Sequence, residues 1–543
     1  MSRAAPWVVA AAILSSAWCA SAAFRLGATF DEPFYVREGL RFWRTGSHGM
    51  LVSKGTMPLV MDAATLPIHL WERARGRVVD PSAELPEVLP WVRVAALVFW
   101  WMLLLVLARE AMALGGTEAA VVAVTLLAVE PVLLGHAALA TADVAVVAPL
   151  VGLAGAFRRG RDRDTFHRIG LPGAWFGLAL VAKASALALG PVILLGIEAA
   201  GRATGDRQEI LGRLRGFARD LSKIVGIALV ITFVACGSDW QREGSFVAWA
   251  RTLHPGPLRD VMRGLAEGLW IFPNAGNAIA RQVRHNIAGH HGGAYLLGEV
   301  AAGFPLYFPI ALALKLAPGL PLLALALAVL RPRSLLNPAA GLTALLLAAS
   351  VGARVQIGVR YVLPLVAFAA IAVAVAFARA RQGAGPAVRR ALAAVAVAAV
   401  GWNALAAVRV WPQGIAYTNA LCGGTEDGYR CLSDSNYDWG QGLPELAEWF
   451  EAAGGPPLAI WYFGTDPLLA RLPFRSLPLH VFALADGAEV AHHARGHYLA
   501  ASTTLLYGTR LTEAHRRAAE FLMRRTPVAR TTTFLIYDFR GER

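Results

Sequence analysis

The sequence predicts an α-helical polytopic membrane protein that ends in a C-terminal, extracytoplasmic soluble α/β domain. Three observations predict it. Hydrophobic residues fill 56% of the 543 positions and charged residues only 16%, against about 25% charged in a soluble domain, so the chain cannot cover a water-facing surface of its size. The apolar residues gather in runs of roughly 20, the length that crosses a bilayer as a helix. Beyond residue 408 those runs stop, and short strand-like and helix-like patterns replace them. A disordered chain, a coiled coil and a cytosolic enzyme are excluded as readings of the whole.

Candidate spans are 6–24, 90–108, 117–134, 137–157, 223–240, 303–330, 337–351, 357–378 and 390–408. The apolar stretch 171–200 lies between two basic flanks, 158–170 with five arginines and 201–223 with five more and Lys223. The positive-inside rule puts both flanks in the cytoplasm, so 171–200 crosses an even number of times. Two arms of about 15 residues reach only ~22 Å each at the helical rise, which predicts a short hairpin in a thinned or protein-lined region. The total is about 11 transmembrane helices, with the N-terminus cytoplasmic. Arg331 with Arg333, and Arg379, Arg381, Arg389 and Arg390, then fall in inside loops. The hydrophilic pieces 25–89, 241–302 and 409–543 lie outside. Cys19-Ala20-Ser21-Ala22-Ala23 looks like a signal-peptidase site; cleaved or not, 25–89 stays outside. The expected division is a transmembrane module at 1–408 and a soluble domain at 409–543.

In the tail, strands are expected at Leu458–Phe463, Tyr498–Ser502 and Phe534–Phe539, and helices at Leu443–Ala452 and Thr512–Met523. Cys422 and Cys431 share its first loop on the oxidising side, where a disulfide is open to them. The net charge is +14, yet only Lys54, Lys183, Lys223 and Lys315 are lysines. That arginine preference fits a GC-rich genome, and no nucleic-acid partner is expected.

Polar residues at the outer membrane face mark the candidate site. Asp31-Glu32-Pro33 follows the first span. Pro33 permits a helix to start there, so Asp31 reads either as a helix cap or as a carboxylate in low dielectric, raised in pKa and able to take a proton from a hydroxyl. At the next outside turn stand Glu130-Pro131, His136 and Thr141-Ala142-Asp143, and a carboxylate inside an apolar run is a functional candidate by default. The topology puts Asp31, Glu32 and Asp143 at one depth on one side. Lys183, Lys315, Arg360 beside Tyr361, and Arg281 with Arg284 form a cationic complement suited to a phosphate. The histidine groups His285, His290, His291 and His492, His493, His497 lack the spacing of a helix-borne zinc site. No metal site is assigned and no cofactor is firmly implied, with a divalent metal left open. No Walker loop, dinucleotide fingerprint or hydrolase elbow appears.

These residues resemble a known family. Asp31-Glu32-Pro33 with Tyr35, Gly39 and Gly46 is similar to the first outside loop of GT-C superfamily glycosyltransferases that use polyprenyl-phosphate sugars, the relatives of protein O-mannosyltransferases and aminoarabinose transferases. Glu130-Pro131, His136, Thr141-Ala142-Asp143, Ala182-Lys183-Ala184-Ser185, Gly298-Glu299, Tyr307-Phe308-Pro309, Lys315 and Gly358-Val359-Arg360-Tyr361 follow in the family's order. The tail run Asp434-Ser435-Asn436-Tyr437-Asp438-Trp439-Gly440-Gln441 resembles the soluble domain of a bacterial branch, except that Gly442 stands where an acid is common.

The resemblance implies a GT-C catalytic module in the bacterial cytoplasmic (inner) membrane. It implies inverting transfer of a monosaccharide from a polyprenyl-phosphate donor to a glycolipid, envelope glycan or protein outside. Asp31 would act as base, with Glu32 and Asp143 orienting. Lys183, Lys315, Arg360 and Tyr361 would hold the donor phosphate. Tyr35, His136, Arg281, Arg284, Asp438 and Trp439 are candidate contacts to acceptor or donor. The rival readings are a polysaccharide polymerase or ligase using a lipid diphosphate oligosaccharide, and a lipid or solute transporter.

Overall fold

The computed structural model describes residues 3–541 apart from 201–206, 241, 243, 269–273, 291, 483–485 and 511. Among the described residues four helices are long and apolar enough to cross a membrane: Ala5–Ala23, Leu85–Ala128, Leu363–Arg381 and Pro386–Val410. The helix Leu85–Ala128 holds a non-helical glycine, Gly116 at φ 77°, so the expected spans 90–108 and 117–134 meet there at a kink. The chain is therefore a multi-pass membrane protein.

One expected straight span is broken, and a second bend falls at the turn expected between the spans 117–134 and 137–157. The stretch 303–330 forms Tyr307–Lys315 and Gly319–Leu330, bent by 103° at Leu316-Ala317-Pro318. Pro318 cannot donate a backbone hydrogen bond, and its ring disfavours helix at the residue before it. The stretch 131–160 forms Pro131–Ala137 and Ala142–Gly160, bent by 112°. Counting each bent pair as one crossing gives six. In 171–200 the helices Leu171–Ala182 and Ala186–Ala200 separate at Lys183-Ala184-Ser185. All three breaks place a polar or charged residue at an interrupted helix end, where backbone groups also need partners.

A two-stranded hairpin, β1 Ala294–Leu296 and β2 Glu299–Ala301, precedes the tail. The tail carries a five-stranded sheet: β3 Leu458–Trp461, β4 Arg475–Ser476, β5 Tyr498–Ser502, β6 Ala529–Arg530 and β7 Phe534–Asp538. Its order is β4-β3-β5-β7-β6, with β3 parallel to β4 and β5, and β7 antiparallel to β5 and β6. Alternation with period two divides the strands between two cores. Leu458, Ile460, Ala500, Phe534 and Ile536 pack with Leu443 and Leu446 of the helix Leu443–Ala452. Ala459, Trp461, Leu499, Ala501, Leu535 and Tyr537 pack with Val490 and with Ala518, Ala519 and Leu522 of the helix Glu513–Met523. The small sheet is thus covered on both faces. Cys422 and Cys431 are joined as a disulfide.

The run 434–441 straps this sheet region to the membrane helices. Gly27 N donates to Gln441 O at 2.9 Å and Phe30 N to Trp439 O at 2.8 Å. Val359 N donates to Asn436 Oδ1 at 2.9 Å, and Ser435 Oγ to Ile357 O at 2.6 Å. The residues before Asp31 and those before Arg360 are therefore pinned to one segment. At 442 a side chain would meet the Thr533 hydroxyl, so Thr533 would have to move to admit one.

Candidate active site

A cavity of about 880 Å³ gathers Asp31, Tyr35, Asp143, Lys183, Arg281, Arg284, Arg360 and Tyr361 from five separate stretches of chain. Asp31 precedes the helix Glu32–Thr45 but makes no side-chain cap bond to it. Its carboxylate faces Arg360 instead, with Oδ2 3.3 Å from Nη1 and 29% of the side chain exposed. Burial raises the Asp31 carboxyl above its ordinary range, and the Arg360 guanidinium opposes that rise. Tyr35 is pushed well above the phenol range, first by burial and then by the Asp31 charge, so it stays a neutral donor.

The second pair lies where two helix breaks meet. Lys183 Nζ donates to Asp143 Oδ1 at 2.6 Å, and the Asp143 side chain is 3% exposed. The Lys183 ammonium also sits 4.5 Å from the Tyr361 ring centre. Arg360 lies over Trp439 at 4.2 Å and over Tyr361 at 5.4 Å. Cations held against ring faces keep their charge while shedding water. Buried polar atoms that should be paired are not: Asp143 Oδ2, Thr141 Oγ1, Arg360 Nε and His136 Nδ1 have no hydrogen-bond partner among the described residues. Unsatisfied buried groups are rare and concentrate where a ligand completes them.

Five expected site residues are placed elsewhere. Glu32 is fully buried and saturated. It accepts from Arg93 Nη2 at 2.6 Å and Nε at 2.9 Å, from Thr29 N at 2.9 Å and from Ala140 N at 2.9 Å. Arg93 in turn donates to the carbonyls of Ala23, Leu26 and Gly27. This clamp ties down the loop that carries Asp31 and occupies both oxygens of Glu32. Lys315 does not line the cavity; its ammonium donates to the carbonyls of Ile415 and of Asn436, the latter at 2.6 Å. Asp438 is 1% exposed and accepts from Thr504 N at 3.1 Å, Gly440 N at 3.1 Å and Thr503 Oγ1 at 3.3 Å. His136 is buried away from the cavity lining and interacts electrostatically with Asp143. Trp439 does not line this cavity either, and reaches it only through Arg360.

Sequence reasoning passed over Lys54, Arg37 and Asp434. Lys54 and Arg37 line the same cavity, with Arg37 paired to Glu38 at 3.0 Å. Asp434 lies in the strap and lines an adjoining chamber. Its place in the tail motif was the available signal. An apolar groove of about 500 Å³ shares Ala184, Gln282 and Tyr361 with the cavity and is otherwise walled mainly by Leu187, Val192, Phe308, Leu346 and Val362. No group of three or more His, Cys, Asp or Glu is placed to hold a metal ion among the described residues, and His291 lies outside them.

No protein-family model and no curated protein matches the chain. Solved structures of GT-C proteins are similar to it over nearly its whole length. The crystal structure of the aminoarabinose transferase ArnT from Cupriavidus metallidurans bound to undecaprenyl phosphate is 15% identical, covering 99% of this chain and 98% of that one at a TM-score of 0.45. The oligosaccharyltransferase of Archaeoglobus fulgidus, tethered to an acceptor peptide, is 11% identical, covering 95% of this chain and 72% of that one at a TM-score of 0.48.

Proposed function

We propose that this protein is a membrane glycosyltransferase that moves a monosaccharide from a polyprenyl-phosphate donor to an acceptor hydroxyl, with inversion, at the outer face of the bacterial cytoplasmic membrane. The observation behind it is the convergence of two ion pairs, Asp31–Arg360 and Asp143–Lys183, on one cavity that runs into an apolar groove. A lipid phosphate has that shape: a long apolar chain ending in an anion. Lys183 and Arg360 hold the donor phosphate, and the groove takes the first isoprene units. Undecaprenyl phosphate, present in the Cupriavidus metallidurans structure, belongs to this class of lipid.

The acceptor oxygen attacks the anomeric carbon from the face opposite the phosphate. The carbon–oxygen bond to phosphate breaks, and its electron pair stays on the phosphate oxygen. The hydroxyl proton passes to Asp31. The products are the glycosylated acceptor and the polyprenyl phosphate. The leaving group is already stable as an anion, so it needs cations more than a proton. Asp143 holds Lys183 in place, and its free Oδ2 remains for a sugar hydroxyl. The acceptor is a glycolipid, an envelope glycan or a protein.

The test is transfer by purified protein in proteoliposomes, offered a panel of polyprenyl-phosphate sugars with a membrane extract and read by mass spectrometry. One donor should be consumed, and Asp31→Asn should abolish its consumption. Full turnover by Asp31→Asn, or no turnover of any lipid-phosphate sugar by wild type, defeats the proposal. A second reading, transfer from a lipid diphosphate, is favoured by one observation. Lys54, Arg281 and Arg284 line the same cavity without an ion-pair partner among the described residues. Consumption of a lipid diphosphate oligosaccharide in the same panel selects that reading.

A further inference from the structure

Asp31 and Arg360 face two spaces. Besides the cavity described above, a chamber of about 450 Å³ shares both residues, together with Phe30, His290 and Ile357, and lies against the sheet region. The two spaces differ in chemistry. Apart from the shared pair, the first holds Arg37, Lys54, Lys183, Arg281 and Arg284 against a single acid, Asp143. The second adds no lysine and no further arginine among its described lining residues, and it adds a carboxylate, Asp434. Much of the rest of its wall is aromatic, phenolic and imidazole, with Gln356, Ser433, Thr504 and Thr509 as neutral polar groups. Phe30 and Phe463 stack at 5.3 Å there, and Tyr295, Tyr307, Tyr462 and His480 also line it. An anionic group entering this chamber would meet two carboxylates and one guanidinium that is already shared, whereas aromatic faces with a few convergent polar atoms suit an uncharged polar ligand.

Asp434 is set up rather than incidental. Its backbone is left-handed at φ 57°, uncommon for a residue with a side chain and met chiefly in Asn and Asp. The conformation is held from behind. Asp434 N donates to Thr504 Oγ1 at 3.0 Å, while Thr504 N donates to Asp438 Oδ2 at 3.1 Å and Thr504 Oγ1 to Asp438 O at 2.7 Å. Asp434 Oδ1 accepts from Ser435 N at 2.6 Å. The carboxylate lines the chamber. Burial raises this carboxyl to about 6, against the pull of Arg360, so at neutral pH it is largely an anion.

Resting on the donor reading of the first cavity, we propose that the second chamber is the acceptor site, that it takes an uncharged, polyhydroxylated sugar unit, and that Asp434 binds that sugar by accepting hydrogen bonds from its hydroxyls while one hydroxyl reaches Asp31. The acceptor is then a glycan or the sugar of a glycolipid, approaching from the sheet side, and neither a phosphate group nor a peptide.

The experiment is ligand-observed saturation-transfer NMR on the full-length protein in detergent, with three probes: a panel of uncharged methyl hexosides and pentosides, the corresponding sugar phosphates, and undecaprenyl phosphate alone. Two variants are used. Asp434→Asn keeps the bond from Ser435 N and tolerates the left-handed backbone; Asp434→Gly removes the side chain at a φ that glycine adopts freely. At least one uncharged glycoside should bind wild type, and each variant should weaken it about tenfold, the loss of hydrogen bonds to an ionised acceptor. Undecaprenyl phosphate should bind wild type and both variants alike. The proposal is overturned if no uncharged glycoside binds, if the variants bind it as wild type does, or if the sugar phosphates bind equally well and lose that binding in both Asp434 variants. Failure of undecaprenyl phosphate to bind wild type sinks the donor reading instead, and the same samples report it separately.

Discussion

Changing Asp31 to Asn and Glu32 to Gln, one at a time, separates two jobs assigned to neighbouring carboxylates. Glu32 accepts four N–H bonds, two of them from the buried guanidinium of Arg93, and also the Thr29 hydroxyl. A glutamine offers one acceptor oxygen and turns an amide N–H₂ toward donors. Breaking a buried pair by neutralising one partner costs about 3–5 kcal/mol, because the other charge is left uncompensated. Asp31 faces Arg360 at 3.3 Å on a side chain that keeps 29% of its surface, so its loss costs about 1 kcal/mol or less in stability. The rates should move the other way. Removing a general base costs about 10²–10⁴ in kcat, or roughly 3–5 kcal/mol on the barrier. Thermal denaturation of the solubilised protein reads the first quantity, and sugar transfer per folded molecule in proteoliposomes reads the second. Asp31→Asn should melt with wild type and be nearly inactive. Glu32→Gln should melt well below wild type, with turnover per folded molecule reduced less than tenfold (roughly). An equally dead but fully stable Glu32→Gln would refute the division of roles, as would an Asp31→Asn that keeps most of its rate.

The pH profile carries a sign. Asp31 must be ionised to accept a proton, and burial raises its pKa, so the acid limb of kcat/KM should lie above the ordinary carboxylate value. Asp143→Asn removes a negative charge that raises Asp31 further, so in that variant the limb should move to lower pH. Lys183→Met should raise the donor KM about 10–100-fold. Lys315→Met should leave the donor KM unchanged while destabilising the fold by about 1–3 kcal/mol for each carbonyl stranded, measurable by denaturation. Replacing Cys422 and Cys431 by Ser opens a loop with a sequence separation of 9, a loss of about 2.5 kcal/mol in the chain-entropy account, read as a lower melting temperature equal to that of reduced wild type. Asp438 is raised to about 6 in the folded protein by burial. A carboxyl whose folded pKa is raised contributes stability below the unfolded value and loses it as pH rises through the folded one. The melting temperature should therefore fall between about pH 4 and 6, and Asp438→Asn should flatten that slope.

The tail was legible because its elements announce themselves locally. Leu443–Ala452 and Tyr498–Ser502 have the bounds that their periodicity predicts, the other two expected strands differ by a residue or two at one end, and the two-residue edge strands Arg475–Ser476 and Ala529–Arg530 were too short to show. The membrane module was legible in its apolar runs but not in its bends. A window of apolar residues reads as one helix whether or not Leu316-Ala317-Pro318 turns it by 103°. The site was legible as a set of residue types and in order along the chain. Which members meet was not, since the contacts that decide it join residues far apart, such as Arg360 to Asp31 and Lys183 to Asp143. Gly442 was unreadable for the same reason: its limit is Thr533 across the sheet region.

The intramembrane charge rule treats every acid or base in an apolar run as a functional candidate and selects Asp143, Lys183 and Lys315, while the membrane-face motifs add Glu32 and Glu130. What divides them is saturation. Glu32 has donors on both oxygens, Glu130 accepts from Ala317 N and Asn403 Nδ2, and Lys315 is held by two carbonyls. Their polar capacity is used up in joining one part of the fold to another: the first loop to Arg93, the bent 307–330 pair to 403, and the membrane helices to the strap. Asp143 keeps Oδ2 unpaired, and Arg360 keeps Nε unpaired, although both are buried. A buried group left unpaired costs about 1–3 kcal/mol or more, a cost that folding alone gives no reason to bear. Arg381, Arg510 and Thr533 also carry unpaired buried atoms away from the cavity, but Asp143 and Arg360 carry theirs on its lining, and that coincidence supports the proposed reading of these two as working charges more than their positions in the sequence do.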